Sequence, residues 1–253
     1  MPNFNLINQN EYKKLFTKNG FFIHKNAFSK KFLSKIIDDL NKAKNVEKYY
    51  DKNKKLRRIE KIYNKGESLK KLNKDNLKFL KKTLGKKFTI FKDKFNIKPP
   101  GGEGYFAHYD GVYKFLDKNN KIKNGWYEYS NFFVNILIAI DNCSIKNGTI
   151  EIANAQKKSF NKLLKDTENN GTPNLTKQKE RKNNFKSINL KTGDLVVFQN
   201  TCPHRSKKNK SKVNRRIIYY TYTLSKYGSK YKNYFNDKAQ SKNTTSKSLT
   251  GEI

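Results

Sequence analysis

Cysteine is scarce in this chain, and so are long apolar runs. Two cysteines among 253 residues exclude the disulfide framework of a small secreted domain. No apolar run approaches the ~20 residues that a membrane span needs, and the longest one, residues 132–140, is interrupted by Asn135. The opening residues, MPNFNLINQNEYKKLF, lack the apolar stretch of a secretory signal. We therefore expect a cytoplasmic protein that does not span a membrane.

Acidic residues are also few. The chain has 21 Asp and Glu against 56 Lys and Arg, which gives a net charge of +35. Such an excess is typical of nucleic-acid-binding proteins, but it also arises when lysine and asparagine are frequent throughout a chain, as they are here. Residues 126–155 contain one basic residue and three acidic ones. The sequence therefore indicates a charge-poor interior within a basic shell, and nucleic-acid binding is the less favoured interpretation.

The N-terminal third has helical character. Hydrophobic residues make up 35% of the chain, which is enough for a folded core. Apolar spacing predicts helices over residues 10–19 and from an N-cap at Ser29 through Ala43, with a short strand FFIHK after Gly20. The lysine-rich stretch 45–86 has one apolar face and is expected to continue the helical layer.

From Phe88 onward the apolar period changes to two, which is typical of strands. The candidate strands are residues 88–97, 105–109, 132–140, 149–153, 194–198 and 215–223. We predict a mainly β fold with N-terminal helices and a barrel or jelly-roll core. In this single domain, residues 1–87 are a mostly helical support layer, 88–225 the β core, and 226–253 a polar, loosely ordered tail. The polar connection 156–186 is long enough to be functional or mobile.

Two of the three histidines lie beside turns next to predicted strands. His108 and Asp110 are two residues apart, so on an extended strand their side chains point to one face. His204 follows the apolar strand 194–198. Two histidines and one carboxylate make the facial triad that holds Fe(II) with open positions. A His-x-Asp pattern alone is weak evidence, because a strand histidine is often only structural.

Two arginines open the last predicted strand. Arg215 follows His204 by eleven residues, and alternation along a strand directs either Arg215 or Arg216 into the barrel. A guanidinium in a dry pocket can bind a carboxylate through two parallel hydrogen bonds. We expect Arg216 to belong to an exposed basic turn.

These residues, in this order and spacing, resemble the phytanoyl-CoA dioxygenase (PhyH) family of Fe(II)- and 2-oxoglutarate-dependent oxygenases. The matching segments are His108-Tyr109-Asp110, the turn Asn147-Gly148-Thr149, residues 191–198 (KTGDLVVF), Pro203-His204-Arg205-Ser206, and Asn209, Ser211, Arg215 and Arg216. The resemblance covers roughly residues 88–223 and implies a double-stranded β-helix, a cupin-like jelly roll.

The same resemblance implies a catalytic site. His108, Asp110 and His204 would be the ligands of Fe(II), and Arg215, helped by the hydroxyl of Ser206, would receive the distal carboxylate of 2-oxoglutarate. Tyr109 stands between the ligands where the family often has Gln, and it is kept as a candidate cofactor-binding residue. O2 is the remaining co-substrate. Hydroxylation is favoured because related halogenases replace the carboxylate at Asp110 with a small residue.

Lysines near the predicted ligands have two interpretations. Lys92, Lys94 and Lys98 share one side of a strand, for which a solvated face is the commoner explanation. Lys94 could instead reach 2-oxoglutarate or an anionic substrate. A basic rim of Lys94, Lys98, Lys207 and Lys208 is compatible with an acidic substrate.

Cys143 and Cys202 lack the second cysteine pair of a zinc site and are expected to be buried free thiols. His24 has no partner in the sequence pattern and receives no role.

The favoured function is therefore an Fe(II)/2-oxoglutarate-dependent hydroxylase of a small, anionic metabolite: a phosphonate, a carboxylate or an acyl thioester. It would release succinate and CO2, with a small molecule as its partner. The alternative is a basic nucleic-acid-binding β-barrel without catalysis, in which the aromatic strand 215–223 stacks bases. Such a module needs neither the triad nor an inward arginine.

Overall fold

Helices and strands are mixed along the part of the chain that the computed structural model describes, residues 9–240. The helices are α1 (Gln9–Asn19), α2 (Lys30–Lys42), α3 (Glu67–Leu84), α4 (Phe160–Leu164), α5 (Lys177–Arg181) and α6 (Tyr231–Gln240). The strands are β1 (Phe21–His24), β2 (Glu47–Tyr50), β3 (Leu56–Glu60), β4 (Phe88–Lys98), β5 (Tyr105–His108), β6 (Phe115–Leu116), β7 (Ile122–Lys123), β8 (Phe133–Ala139), β9 (Ile150–Ile152), β10 (Lys186–Ser187), β11 (Leu195–Gln199), β12 (His204–Ser206) and β13 (Arg215–Leu224).

Two antiparallel sheets form the core. The large sheet has seven strands in the order β1-β11-β8-β13-β4-β3-β2, and the small sheet has four in the order β10-β9-β12-β5. Apolar side chains from both sheets, among them Leu137, Phe198, Ile150 and Ile152, pack together in one cluster. The predicted jelly-roll core with N-terminal helices is confirmed.

The large sheet is buried on both faces. Along β8, Ile136 and Ile138 belong to the cluster formed with the helices, whereas Leu137 and Ala139 belong to the cluster between the sheets. Strands covered on both faces read as continuous apolar runs. The run 132–140 therefore marks the centre of the sheet.

Helix α2 begins where the sequence predicts. The side chain of Ser29 accepts a hydrogen bond from the backbone N–H of Phe32 at 3.3 Å, which is an N-cap. Leu33, Ile36 and Leu40 form the buried face of this helix. Local capping and spacing are sufficient to define this element.

The segment 45–86 differs from the prediction. Only residues 67–84 are helical, and β2 and β3 form a hairpin that extends the large sheet beside β4. On β3, Arg57, Arg58 and Glu60 are buried. Because inward positions of this strand carry charges, the apolar alternation that reveals a strand is missing.

Two polar segments are also more ordered than expected. The connection 156–186 contains α4 and α5, and Leu163 and Leu164 of α4 are buried. The predicted loose tail is wrong for residues 231–240, which form α6 with Tyr234 and Phe235 buried. Residues 241–253 lie outside the described part. Within residues 9–240, no helix has the length and apolar character that crossing a membrane requires.

Candidate active site

Strand pairing brings the two predicted histidine ligands together. His108 ends β5, His204 begins β12, and the two residues are direct partners across the β5–β12 ladder. Their ring centroids are 4.2 Å apart. Asp110 follows His108 in a tight turn whose next residue, Gly111, has φ +77°, and a Cβ there would lie 2.4 Å from Cγ of Trp126. The glycine therefore lets the chain turn directly after the carboxylate.

The three side chains meet at one point. Nε2 of His108 lies 3.9 Å from Oδ1 of Asp110, and Nε2 of His204 lies 3.8 Å from Oδ2. One ligand atom from each residue lies within 4.8 Å of the others, and no other such group of three occurs within residues 9–240. Two imidazoles and one carboxylate on one side of an ion are the facial triad of non-haem Fe(II) sites.

Hydrogen bonds orient each of these ligands. Nδ1 of His108 contacts the carbonyl of Phe106 at 2.8 Å, and Nδ1 of His204 contacts the carbonyl of Cys202 at 3.1 Å. Because a carbonyl only accepts, each Nδ1 carries the hydrogen and each Nε2 presents a lone pair. Oδ2 of Asp110 accepts a hydrogen bond from Nδ2 of Asn135 at 2.8 Å.

Burial keeps the ligands in the protonation states that bind a metal. Burial, followed by the neighbouring His204, lowers the pKa of His108 to about 3. Burial also lowers the pKa of His204. Burial opposes the charge on Asp110, but His204 and Lys94 outweigh it and lower the pKa of that carboxyl. Neutral imidazoles beside a carboxylate are the forms that ligate.

A first cavity lies on the His204 side and is called the Arg215 cavity. It is lined by Arg215, Ser206, His204, Ile217 and Tyr219 together with neighbouring residues. Arg215 is 2% exposed, and its Nε has no hydrogen-bond partner within the described chain. A buried guanidinium N–H without a partner is costly. This cavity is therefore suited to an anion.

A second cavity lies on the Asp110 side and is called the Asp110 cleft. It is lined by Arg58, Glu60, Lys92, Lys94, His108, Asp110, Gly111, Tyr113, Trp126, Pro173, Tyr234 and Lys238. Arg58, Lys94 and His108 border both cavities. Each cavity encloses a volume of about 40 Å³. Two ligand spaces thus meet at the metal ligands.

A family comparison matches this arrangement. The family model for phytanoyl-CoA dioxygenase (PhyH) matches residues 16–217, most of the chain. The chain belongs to the PhyH family. The matched range contains His108, Asp110, His204, Arg215 and Arg216. The resemblance inferred from the sequence is confirmed.

Two curated proteins match part of this PhyH chain at modest sequence identity. A 2-aminoethylphosphonate dioxygenase from an uncultured bacterium (HF130_AEPn_1) is 29% identical over 157 residues, which are 62% of this chain and 54% of that protein. A methylphosphonate hydroxylase from Gimesia maris is 25% identical over 158 residues, again 62% of this chain and 54% of that protein. The chain spans about half the length of these curated relatives.

Solved structures share the fold. The non-haem alpha-ketoglutarate-dependent carbocyclase SnoK from nogalamycin biosynthesis has a TM-score of 0.67 at 12% identity, over 89% of this chain and 87% of that one. EctD from S. alaskensis, solved with 2-oxoglutarate and 5-hydroxyectoine, has a TM-score of 0.65 at 12% identity, over 85% of this chain and 76% of that one. At these identities the likeness establishes the jelly-roll fold of this PhyH protein.

The two adjacent arginines of the PhyH chain face opposite ways. Arg215 is enclosed in its cavity, while Arg216 forms two hydrogen bonds to Asp141, from Nε and Nη2, both at 2.8 Å. Arg216 thus lies outside the site, as expected. It forms an ion pair with Asp141, so it is not the unpaired residue of an exposed basic turn. Ser206 also lies in the Arg215 cavity.

The expectation of a solvated lysine face is wrong. Lys92 and Lys98 are buried and Lys94 is half-buried, because this face of β4 points into the site. Lys98 donates a hydrogen bond to Oγ of Ser206 at 2.7 Å. The expected rim is also altered, since Lys207 and Lys208 pair with Glu151 and Glu103 at 3.4 and 2.5 Å.

Tyr109 does not reach either cavity. Its side chain is fully buried among Leu163, Leu164 and Leu175, and its hydroxyl donates to Oδ2 of Asp166 at 3.1 Å. Alternation along the chain directs His108 and Asp110 inward and Tyr109 outward. The prediction of a cofactor contact is therefore corrected to a structural contact with the segment that follows β9.

Asn135 is a site residue that the sequence pattern does not assign to the site. It interrupts the apolar run 132–140, accepts a hydrogen bond from Thr221 at 2.7 Å and donates one to Asp110 at 2.8 Å. A buried polar residue in the centre of an apolar strand was the available clue. Cys143 and Cys202 are buried free thiols, as expected. His24 stacks on the ring of Phe79, and its Nδ1 contacts the hydroxyl of Tyr12 at 3.1 Å. It therefore has a structural role.

Proposed function

We propose that the chain is an Fe(II)- and 2-oxoglutarate-dependent dioxygenase that hydroxylates a small phosphonate and converts 2-oxoglutarate to succinate and CO2. The observation that carries the proposal is the position of the unpartnered Nε of Arg215, in a cavity that also contains His108 and His204. A metal triad alone would fit several reactions. A triad beside a buried anion site fits a reaction that uses a carboxylate co-substrate.

The donor set fits the implied groups. Neutral imidazole and carboxylate ligands suit Fe(II), and the open positions of a facial triad accept further ligands. A guanidinium binds a carboxylate through a planar fork that lysine lacks. Ser206 adds a hydroxyl beside it, so the residues present can hold both the iron and the distal carboxylate of 2-oxoglutarate.

Fe(II), when bound, supplies the redox and O2 chemistry that side chains cannot. His108, Asp110 and His204 would hold it from one side. Arg215 and Ser206 would fix the far end of 2-oxoglutarate and so direct its keto acid towards the triad. Ile150, Ile217 and Tyr219, which line the same cavity, would exclude water from the reacting groups.

Two observations support a phosphonate as substrate. The relatives described above are, by name, a 2-aminoethylphosphonate dioxygenase and a methylphosphonate hydroxylase. In addition, the Asp110 cleft is lined by four cationic side chains, Arg58, Lys92, Lys94 and Lys238. A cleft of this charge suits an anionic molecule.

The test is a coupled assay. Purified protein loaded with Fe(II) would receive 2-oxoglutarate, O2 and methylphosphonate or 2-aminoethylphosphonate, and succinate and the gain of one oxygen atom by the phosphonate would be measured. Arg215→Lys should raise the KM for 2-oxoglutarate about tenfold or more, because the bidentate fork is lost. Arg216→Lys is the matched control and should change that KM by less than about twofold, as expected for a partly exposed pair.

Failure would be unambiguous. The proposal is wrong if no succinate forms with phosphonates or with a panel of carboxylates and acyl thioesters, and if His108→Ala binds Fe(II) as tightly as the unaltered protein.

A further inference from the structure

The proposed reaction does not account for the buried charged residues of the Asp110 cleft. The triad and Arg215 account for the Arg215 cavity, but the Asp110 cleft contains four cations and only two carboxylates, Glu60 and Asp110. Asp110 is already assigned to the metal. Buried charges in proteins are almost always paired, so a cleft with an excess of two positive charges calls for an anion.

Glu60 forms ion pairs with two of the four cations. It is fully buried, it lies 3.4 Å from Nη1 of Arg58, and it forms an ion pair with Lys238 of α6. Tyr49 donates a further hydrogen bond to it at 3.3 Å. Glu60 thus pairs directly with Arg58 and Lys238. The other two cations of the cleft form no ion pair with it, although its charge raises the pKa of Lys92.

Lys92 and Lys94 are those two. Lys92 is 8% exposed; its Nζ donates to the hydroxyl of Tyr234 at 3.0 Å and lies 5.1 Å from the ring centres of Tyr234 and Trp126. It forms no ion pair within residues 9–240. The Nζ of Lys94 lies 4.6 Å above the ring of Tyr219 and has no hydrogen bond to the described chain.

Strand geometry places both lysines along the Asp110 cleft. Lys92 and Lys94 are two residues apart on β4, so their side chains share a face. Asp93 between them points to the opposite face, where the backbone N–H groups of residues 61–63 and the hydroxyl of Tyr231 donate to it. Asp93 is therefore not a partner for either lysine.

Aromatic rings enclose the cleft beside these lysines. Trp126, Tyr113 and Tyr234 line it together with Lys92, and Tyr234 belongs to α6, which covers this side of β4. Aromatic side chains around a cleft lower the local dielectric constant and strengthen contacts between an ammonium group and an anion.

We infer that Lys92 and Lys94 bind the phosphonate group of the substrate, and that α6 completes this subsite through Tyr234. The inference rests on the proposed function for the position of the metal, and it names the residues that select the substrate. Burial lowers the pKa of Lys94 to about 7 and that of Lys92 below its usual range. A bound phosphonate dianion would favour the charged form of both lysines, and it matches two ammonium groups better than a carboxylate or a sulfonate, each of which carries a single charge.

A binding experiment tests the subsite without turnover. The protein would be loaded with Zn(II), which has no redox chemistry, and with 2-oxoglutarate, and the Kd of methylphosphonate would be measured by calorimetry. Methanesulfonate, with the same shape and one charge, should bind at least about tenfold more weakly than methylphosphonate. Inorganic phosphate, as a second dianion, should compete with methylphosphonate.

Three variants assign the effect to the lysines. Lys92→Met and Lys94→Met should each weaken methylphosphonate binding about tenfold or more, since each loses a charge-assisted contact in a buried site. Lys208→Met is the matched control on the surface and should change the Kd by less than about twofold. Thermal unfolding should show that both variants are folded, with Lys92→Met less stable than the unaltered protein because Lys92 helps to hold the charge of Glu60.

The outcomes separate this inference from the proposed function. If the Lys92→Met and Lys94→Met variants bind methylphosphonate as tightly as the unaltered protein, or if methanesulfonate binds equally well, the subsite is wrong even where succinate is formed. If phosphonate binding depends on both lysines but no succinate forms under any condition, the subsite stands and the proposed reaction is wrong.

Discussion

Lys98 places a second positive charge beside the guanidinium of Arg215. The two residues are direct partners across the β4–β13 ladder. Lys98 is 1% exposed and donates to Oγ of Ser206 at 2.7 Å, and its Nζ is held by the carbonyls of Lys207 at 2.5 Å and Gly148 at 3.3 Å. A hydroxyl oxygen that accepts from an ammonium group keeps its own hydrogen to donate elsewhere. We therefore expect Lys98 to act as a positioning residue that leaves the hydrogen of Ser206 free to donate into the Arg215 cavity.

This role predicts a selective loss of affinity for 2-oxoglutarate. Lys98→Met should raise the Kd of 2-oxoglutarate about fivefold, the equivalent of roughly 1 kcal/mol for one hydrogen bond, while the Kd of Fe(II) stays unchanged. Calorimetry on the Zn(II)-loaded protein measures the first value and metal titration the second. Ser206→Ala should have a similar effect, and the double variant should be no weaker than either single one, because the two groups act through one contact. Additive effects would show that Lys98 acts elsewhere.

At the scale of elements, Tyr109 joins the metal-ligand turn to the segment 156–181. Its ring packs on Leu163, Leu164 and Leu175, and its hydroxyl donates to Asp166. Asp166 also forms ion pairs with Lys158 at 2.9 Å and Lys179 at 3.4 Å. One carboxylate thus ties α4, α5 and the turn after β5 into a single unit.

Removing the hydroxyl of Tyr109 should loosen that unit and leave the metal site intact. In Tyr109→Phe the ring still fills the apolar cluster, so the loss is one hydrogen bond, about 1 kcal/mol. Amide hydrogen exchange of residues 160–176 should be several-fold faster in this variant than in the unaltered protein, roughly as that energy implies. The affinity for Fe(II) should be unchanged. Tyr129→Phe is a matched control, since its hydroxyl donates to Asp237 of α6 at 2.6 Å and exchange should rise in α6 instead. Unchanged exchange at residues 160–176 would refute the link.

Local patterns predicted the elements and residues whose signal is local. Apolar spacing and an N-cap predicted α2, period-two alternation predicted β4 and β13, and a continuous apolar run predicted β8. A two-residue spacing predicted the common direction of His108 and Asp110. The sequence pattern did not predict the β2–β3 hairpin, because the inward residues of β3 are charged. Lys92 and Lys98 are single lysines among many, and only their position on β4, opposite β13 and under α6, makes them part of the site. Such information resides in tertiary pairing and not in any window of sequence.

At the scale of the whole molecule, the net charge is +35. With so few acidic residues, one carboxylate often pairs with two or more basic side chains. Glu151 pairs with Arg205 at 2.7 Å and with Lys207 at 3.4 Å. The aromatic strand that the nucleic-acid alternative needed is not available for stacking, because Tyr220 and Tyr222 of β13 are fully buried. The basic excess therefore matters mainly where it is enclosed, as in the Asp110 cleft.

Glu60 connects parts of the described chain that are far apart in the sequence. It lies on β3, receives the hydroxyl of Tyr49 from β2, pairs with Arg58, and binds Lys238 of α6. Burial works against its charge, but Lys238, Lys92 and Arg58 outweigh burial and lower the pKa of Glu60 to about 2. The native state thus holds the ionised form more tightly than the unfolded chain does.

This pKa predicts how stability depends on pH. A carboxyl whose folded pKa is depressed contributes stability that is full above its unfolded pKa, 4.5, and is lost as the pH falls towards about 2. Glu60→Gln should therefore lower the free energy of unfolding at pH 7 by about 3 kcal/mol, and the difference from the unaltered protein should shrink steadily as the pH falls below 4.5. Urea unfolding at a series of pH values measures both curves. Glu67→Gln, which removes an exposed carboxylate paired only with Lys70, should give a small difference at every pH. A Glu60→Gln difference that stays constant between neutral and acid pH would show that the loss comes from packing and not from the charge.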